Sequence, residues 1–405
     1  MIRPLIRLIA ACLWAGLLPA QEIAPFALPS STAGAEAVLL NPAALADLEG
    51  MHGYFALQQI DQENEWKWGG GYEFRSIKAP FGVAWNMNDD WAFGLGMDTA
   101  YDGRFKINSV SPLRPFFRKF EFTVREWRGT VAYRVNDTFD IGLAIRHLNV
   151  DFSLAYPEYF GYAPPAGGNG WWLDIDAALS GEKDAWGAEL STLWKAKAFS
   201  LGFVFRPEVR FNFNSNDFGV VFTPSYLPDS EAEAILSTYF PDGGASTEAI
   251  LPLHAEVSVT FPPWEGLRLS GAIGWTQWSR WDKIDLNYVN NTVNPQTGEP
   301  VLTDAQFDTA FQDAFSLTCL GVRSFGAGFD VYGRFDWQEK IGNNLIDSPQ
   351  VPSDGIIITL GGRYPWKFGE FSLAMDAFYS FGIYSDNFGF DMNRNLLGAG
   401  LSVAY

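Results

Sequence analysis

Few residues in this sequence have the types and spacing that chemistry requires. The three histidines, His52, His147 and His254, are far apart and show no metal-ligand spacing. A catalytic nucleophile, base and acid are present only by count, so we expect neither an enzyme nor a cofactor. The strongest chemical signal is Arg280 beside Trp278, because a guanidinium fork pairs well with a carboxylate. We therefore predict that Arg280 and Trp278 bind substrate.

Both residues lie in a tryptophan-rich stretch, GAIGWTQWSRWDKIDLNYV (271–289), which alternates with a period of two. Successive side chains of a strand point to opposite faces. One face would hold large apolar groups and the other small or charged ones: Leu267, Leu269, Ile273 and Trp275 against Ser270, Ala272, Gly274, Trp278 and Arg280. The same division recurs in 139–152, 325–337 and 371–381. It is typical of a transmembrane β-barrel, in which one face meets lipid and the other a lumen.

The composition supports a barrel. Of 405 residues, 16% are aromatic and 40 are glycine, which is too aromatic and too glycine-rich for an average globular enzyme. No run of about 20 apolar residues follows residue 20, so a spanning helix is not predicted. A closed barrel satisfies its backbone hydrogen bonds in lipid without one. The net charge of −19 argues against nucleic acid as a partner, because phosphates would be repelled.

The first 20 residues are predicted to be a secretory signal. Arg3 and Arg7 precede an apolar run that ends at the small residue Ala20. A lipoprotein cleavage site at Cys12 is the alternative, but it would leave only about four apolar residues before the cut, fewer than a signal needs. Loss of the signal would leave Cys319 as the one cysteine, so no intrachain disulfide is expected.

Short and long connections alternate along the chain, as they do between the periplasmic and extracellular ends of an outer-membrane barrel. We predict short turns at 88–90, 135–138, 262–266 and 323–326, and long polar connections near 100–120, 155–170, 214–249, 288–312 and 341–354. The predicted fold is all-β, an antiparallel transmembrane barrel of fourteen strands over residues 51–405. Residues 65–75 belong either to a strand or to the first long loop, and the segment that ends at Tyr405 closes the barrel.

Residues 21–50 do not alternate like a strand, since they are small, apolar and interrupted by Pro42. A polar composition would suit an external tail, whereas this one suits a compact hatch that plugs the lumen. Asn41 before Pro42 favours a turn, because asparagine bonds its own backbone and proline fixes φ. We predict that Asn41 and Pro42 take part in gating; plain turn formation is the alternative.

The connection at 227–244 contains a predicted extracellular helix, because Ser230 and Glu233 form a capping box. Four apolar side chains would share one face of this helix: Ile235, Leu236, Tyr239 and Phe240. This face is predicted to form the groove in which a hydrophobic substrate first binds. Packing against neighbouring loops is the alternative.

Seven charged residues fall on predicted inner faces: Arg146, Arg206, Arg280, Arg334, Asp330, Asp336 and Asp376. Buried charges must be paired, so we expect a network of ion pairs in the lumen. In the alternative, Arg280 meets a substrate carboxylate.

Two motifs resemble a known family. LLNPAALADL (39–48) is similar to the Asn-Pro-Ala element in the hatch of FadL-type (OmpP1/FadL/TodX) outer-membrane transporters, and WTQWSRWDKIDL (275–286) is similar to their tenth-strand region. Weaker similarities lie in 199–211 and 347–355. The resemblance implies a fourteen-stranded barrel plugged by its hatch, which takes a hydrophobic molecule from outside and releases it sideways through the wall.

The expected function is passive uptake of long-chain fatty acids or aromatic hydrocarbons across the outer membrane of a Gram-negative cell. An apolar pocket gives such a molecule roughly 25 cal/mol for each Å² buried, so binding suffices without a reaction. The expected partners are the hydrophobic solute and the surrounding lipid and lipopolysaccharide, with the protein as a monomer. Alternatives are an accessory barrel of a secretion or assembly machine, a lipid-modifying enzyme, and a diffusion porin, whose pore the hatch would obstruct.

Overall fold

A computed structural model describes residues 24–32, 34–66, 71–106, 119–162, 171–224, 243–280, 283–289, 304–308, 312–326, 328–339, 355–385 and 390–405. In this part of the chain the fold is a closed antiparallel β-barrel of fourteen strands, which confirms the predicted fold class. The predicted signal peptide and the predicted capture helix, with Ile235, Leu236, Tyr239 and Phe240, lie outside the described residues.

The fourteen strands follow the order of the chain, and five of them are broken into segments. They are β1 (Met51–Trp66), β2 (Gly71–Lys78 and Phe81–Asn86), β3 (Trp91–Lys106), β4 (Lys119–Asn136), β5 (Phe139–Tyr162), β6 (Trp171–Lys195), β7 (Ser200–Arg206, Val209–Phe213 and Phe218–Pro224), β8 (Gly243–Leu251 and His254–Thr260), β9 (Leu267–Thr276 and Lys283–Tyr288), β10 (Ala305–Asp308 and Ala314–Ser324), β11 (Asp330–Gln338), β12 (Gly355–Phe368), β13 (Phe371–Ser385) and β14 (Phe390–Ala404). The ladder between β1 and β14, from 52 with 404 to 66 with 390, closes the barrel.

The side chains of β5 show why these sequences form a wall. Leu143 and Ile145 are exposed on the outer face, whereas Asp140 and Arg146 are buried on the inner face. Lipid solvates the outer apolar groups, and the lumen holds the polar ones. The alternation predicted from the sequence is therefore confirmed here, and it recurs in β13, where Met375 is exposed and its neighbours along the strand are buried or half-buried.

The connections agree with prediction at one end of the barrel and differ at the other. All four predicted short turns join paired strands. The predicted long connections at 155–170 and 214–249 are wrong in part. The strand β5 continues to Tyr162 and pairs with β6 along its whole length, and 218–224 and 243–249 belong to β7 and β8. The backbone hydrogen bonds between paired strands therefore stabilise strand structure there, although the polar sequence favours a loop. Residues 65–75 include the end of β1 and the start of β2.

The N-terminal segment, residues 24–50 without residue 33, packs against the inner faces of the strands. It contains α1 (Ala37–Leu40) and a 3-10 helix (Pro42–Asp47). Its apolar side chains, among them Val38, Leu39 and Leu45, are fully buried and form much of the core. None of the described helices is long and apolar enough to cross a membrane.

Asn41 and Pro42 start the 3-10 helix, as a turn-forming pair should. The Asn41 side chain accepts a hydrogen bond from the Ala43 amide at 3.1 Å and donates one to the Pro29 carbonyl at 2.7 Å. Proline at the first helical position costs no hydrogen bond. Turn formation therefore explains both residues, while their role in gating stays a prediction.

Candidate functional site

A cavity lies between the N-terminal segment and the barrel wall. Residues 27–29 and Leu40 of the segment form one side, and side chains from β3, β4, β5, β7, β8, β10 and β11 form the other sides. The space not filled by protein atoms is ≈ 900 Å³, including its open mouth. Apolar groups such as Tyr101 and Leu251 line it together with charged ones.

Two buried glutamates hold three arginines at the cavity wall. Arg146 donates to both carboxylate oxygens of Glu126, at 2.8 and 2.7 Å. Arg128 pairs with Glu126 and also with Glu189, at 3.0 Å from the latter, and Arg206 donates to Glu189 at 2.6 Å. These five side chains come from β4, β5, β6 and β7. Charge-assisted hydrogen bonds and ion pairs offset the burial of these five charges.

The same network holds the N-terminal segment. Arg128 donates to the Leu39 carbonyl at 2.7 Å, and Arg206 reaches the same oxygen at 3.4 Å. Leu39 lies in the last turn of α1, where carbonyl groups lack a partner within the helix. The arginines supply those partners, so the position of the segment depends on the ion pairs above it.

A second group of ion pairs holds the far end of the segment. Lys195 lies 2.8 Å from Asp140 and also pairs with Asp47. Arg134 donates to the Ala46 carbonyl and to Asp47, at 3.2 Å from the latter. These contacts lie beside the short turn between β4 and β5. The segment is thus attached to the wall at Leu39 and at Asp47.

The predicted lumenal ion pairs are confirmed for several residues. Arg146 and Arg206 belong to the network above, and Arg334 pairs with Asp336 at 2.8 Å. Asp376 is buried on the inner face of β13, but both of its carboxylate oxygens lack a hydrogen-bond partner among the described residues, so the predicted pairing is not confirmed there.

Arg280 differs from the prediction. After Thr276 the strand β9 gives way to a 3-10 helix, Trp278–Arg280, which changes the phase of the alternation. Trp278 is buried and its ring meets that of Tyr101 edge-on, with centroids 6.4 Å apart. The Arg280 side chain is 49% exposed and pairs with Glu208 at 3.0 Å. The predicted continuation of the alternating strand through Arg280 is therefore wrong, while its inner-face position and a role for it in substrate binding stay predictions.

Sequence reasoning missed three members of the network, Glu126, Arg128 and Glu189. In 121–132 both alternating sets contain charges, so the inner face could not be chosen by polarity alone. Trp127 was the available signal, since an exposed tryptophan in the aromatic girdle places its neighbours on the inner face.

The wall is interrupted next to the cavity. Residues 71–78 of β2 pair with β1, and residues 98–106 of β3 pair with β4, but no ladder joins these two stretches in the described chain. Pro80 lacks an amide donor, and β3 bulges between Thr99 and Tyr101. Side chains bridge the gap instead: Lys78 donates to the Thr99 carbonyl at 3.4 Å. We call this interruption the β2–β3 break; residues 98, 100 and 101 line both it and the cavity.

A closed fourteen-stranded barrel with an apolar outer face and a segment inside defines the class of outer-membrane β-barrel proteins. The sequence matches the family model described as "Outer membrane protein transport protein (OMPP1/FadL/TodX)" over residues 27–324. The chain therefore belongs to this family of outer-membrane transport proteins, which confirms the predicted family and location. The comparison with curated proteins finds no match.

Solved structures agree with the fold. A Pseudomonas aeruginosa FadL homologue matches with a TM-score of 0.72 and 15% identity, over 98% of this chain and 97% of that one. The Pseudomonas putida toluene transporter TodX matches with a TM-score of 0.67 and 14% identity, over 96% and 97%. The CymD monoaromatic hydrocarbon channel matches with a TM-score of 0.66 and 14% identity, over 97% and 98%.

Proposed function

We propose that this barrel is a passive uptake channel for hydrophobic small molecules, either long-chain fatty acids or aromatic hydrocarbons. The observation that supports it is the position of the cavity, which borders the N-terminal segment on one side and the β2–β3 break on another. A toluene transporter and a monoaromatic hydrocarbon channel share the fold. Their cargo supports the same class of cargo for this chain.

The route has three steps. Extracellular loops, including the predicted helix with Ile235, Leu236, Tyr239 and Phe240, capture the solute. The cavity then binds it, with the apolar part against Tyr101 and Leu251. Release follows sideways through the β2–β3 break into the membrane.

In this proposal the N-terminal segment is the hatch, and it blocks the direct path to the periplasm. Its buried side chains and its attachment at Leu39 and Asp47 support that role. Because the hatch closes the lumen, the solute has to leave sideways through the wall. No bond is made or broken on this route, since burial of apolar surface drives each transfer. The domain boundaries follow: a signal at 1–20, a hatch at 21–50 and a barrel at 51–405.

The test is mass spectrometry of the organic extract of the detergent-purified protein, combined with binding of a fluorescent fatty acid and of a fluorescent aromatic hydrocarbon. We expect a specific lipophile above the detergent background and saturable binding of one probe. An empty barrel that retains one stoichiometric protein partner would replace the proposal by the alternative, an accessory subunit of a secretion or assembly machine.

A further inference from the structure

One stretch of the wall has no ladder to either neighbouring strand within the described residues. Residues 209–213 of β7 pair with residues 247–251 of β8. The ladder between β6 and β7 covers residues 175–181 and 190–195 of β6, which leaves 182–189 without a partner on that side in the described chain. On the other side, β8 pairs with β9 through 245–246 and 254–260. We call residues 209–213 with 247–251 the inner ribbon.

Prolines explain why the ladders stop below the inner ribbon. Arg206 pairs with His254 below it, and Val209 pairs with Leu251 within it. Between these two rows lie Pro207 in β7 and Pro252 in β8, in adjacent rows of the register. Proline has no amide donor and a fixed φ, so it ends a ladder and bends the strand. Both strands therefore bend between the same two rows, and this bend forms a hinge below the inner ribbon.

The inner ribbon has one apolar and one polar face. Val209, Phe211 and Leu251 are buried on the first face, whereas Arg210 and Glu248, paired at 3.1 Å, lie on the second.

The apolar face packs against β5 and β6. Phe213 meets Phe152 of β5 with ring centroids 6.2 Å apart. Gly187 of β6 leaves room for Val209, whose methyl group lies 2.8 Å from where a Cβ at 187 would be. Leu251 and Pro252 line the cavity. We call the contact of this apolar face with β5 and β6 the apolar seam. It covers one side of the cavity.

Ion pairs link the chain beside the inner ribbon to the neighbouring strands, and above the ribbon the ladders resume, at 218–224 with β6 and at 245–246 with β9. Lys183 of β6 pairs with Asp217 at 2.6 Å, and Glu208 pairs with Arg280 at 3.0 Å. Partly exposed pairs of this kind contribute about 0–1 kcal/mol each. A strand inside an ordinary barrel would instead have to break ladders on both edges before it could move. The inner ribbon can therefore bend away from β6 above Pro207 and Pro252, between the ladders that hold its two ends, and the main cost is the loss of its apolar contacts with β5 and β6.

We propose that the inner ribbon is a hinged lid, and that a hydrophobic solute reaches the cavity by parting the apolar seam between the lid and β5–β6. This inference rests on the proposed function. An apolar solute replaces the contacts of Val209, Phe211 and Phe213 with contacts of the same kind, so the lid opens without exposing apolar surface to water. A polar solute offers no such replacement, so the seam also selects for hydrophobic cargo.

A disulfide across the seam tests the lid. Gly187→Cys with Val209→Cys places two sulfurs at the closest contact, in a Cys319→Ser background. The control is Thr192→Cys with Phe203→Cys, a directly paired position in the ladder between the same two strands. Uptake of a labelled hydrophobic probe by cells is measured before and after reduction. We expect the oxidised seam variant to fall to the level of cells without the barrel and to recover on reduction, while the control transports in both states.

Equal uptake by the oxidised and reduced seam variants would overturn the lid. Should the cysteine pair prevent assembly, Val209→Ala supplies the second test, because a looser seam should speed uptake; unchanged or slower uptake would overturn the lid too. The proposed function fails in a different way, since unaltered protein would then take up neither a fatty acid nor an aromatic hydrocarbon.

Discussion

Glu189 stabilises the lumen strongly because it compensates the charges of two arginines. Its carboxylate is fully buried and pairs with Arg128 at 3.0 Å and with Arg206 at 2.6 Å. Removal of one member of a buried ion-pair network leaves the remaining charges uncompensated, which typically costs roughly 3–5 kcal/mol. We therefore expect Glu189→Gln, which keeps the size of the side chain, to lower the free energy of unfolding by this order, measured by urea titration of the barrel in lipid vesicles.

Glu182→Gln is the matched control on the same strand. Glu182 lies on the exposed outer face of β6, where a substitution usually changes stability by no more than about 0.5 kcal/mol. An equal effect of the two substitutions would contradict a stabilising role for the network.

At the scale of elements, the N-terminal segment fits the wall because certain wall residues have no side chain. A Cβ at position 142 of β5 would overlap the backbone of Pro42 and Ala43. We expect Gly142→Val to push the N-terminal segment out of place while the barrel still forms. The measurement is limited proteolysis of residues 24–50 in intact outer membranes, together with leakage of a small polar solute, and both should increase.

The control for this substitution is Gly129→Val. Gly129 is on the outer face of β4, and no atom of the described residues lies within 4 Å of an added Cβ, so protease resistance and leakage should match those of the unaltered protein. If Gly142→Val were equally resistant and equally tight, the segment would not be the hatch.

The barrel was predictable from the sequence because lipid and lumen impose opposite polarity on successive residues. Met375 and Asp376 in β13, for example, could be assigned to faces by polarity alone, and the short turns followed from the same alternation. Strand ends were less predictable. The extra length of β5 comes from its pairing with β6, and the sequence of neither strand shows how far such a pairing extends.

The breaks within strands were visible in the sequence only as prolines. Pro207 and Pro252 each mark one strand, but their position in adjacent rows appears only after β7 and β8 are placed in register. The error at Arg280 has the same origin, because a regular alternation was extended through Gln277 where the strand ends. The site itself, in which Glu126 and Glu189 from different strands meet three arginines, depends on register and could not be read from either strand.

At the scale of the whole molecule, the lid and the β2–β3 break lie on different sides of one cavity. Leu251 belongs to the lid and Tyr101 to the strand beside the break, and both line the cavity. The N-terminal segment closes a third side. Solute would therefore cross two separate barriers, the first before binding and the second after it. Blocking the lid and blocking the β2–β3 break should therefore differ in their effects on uptake and on the lipophile that the barrel retains.

A disulfide across the β2–β3 break tests the exit. The side chains of Ser76 and Asp102 already touch across it, so Ser76→Cys with Asp102→Cys in the Cys319→Ser background should close it. The control joins β2 to β1 instead, at Ile77→Cys with Gln59→Cys, a direct pair on the bonded edge of the same strand. We expect the oxidised exit variant to lose cellular uptake yet retain lipophile in its organic extract, because the cavity still fills from the lid side. The oxidised lid variant should lose both. Normal uptake with the exit closed would mean that solute leaves the cavity past the hatch, and sideways release would then have to be abandoned.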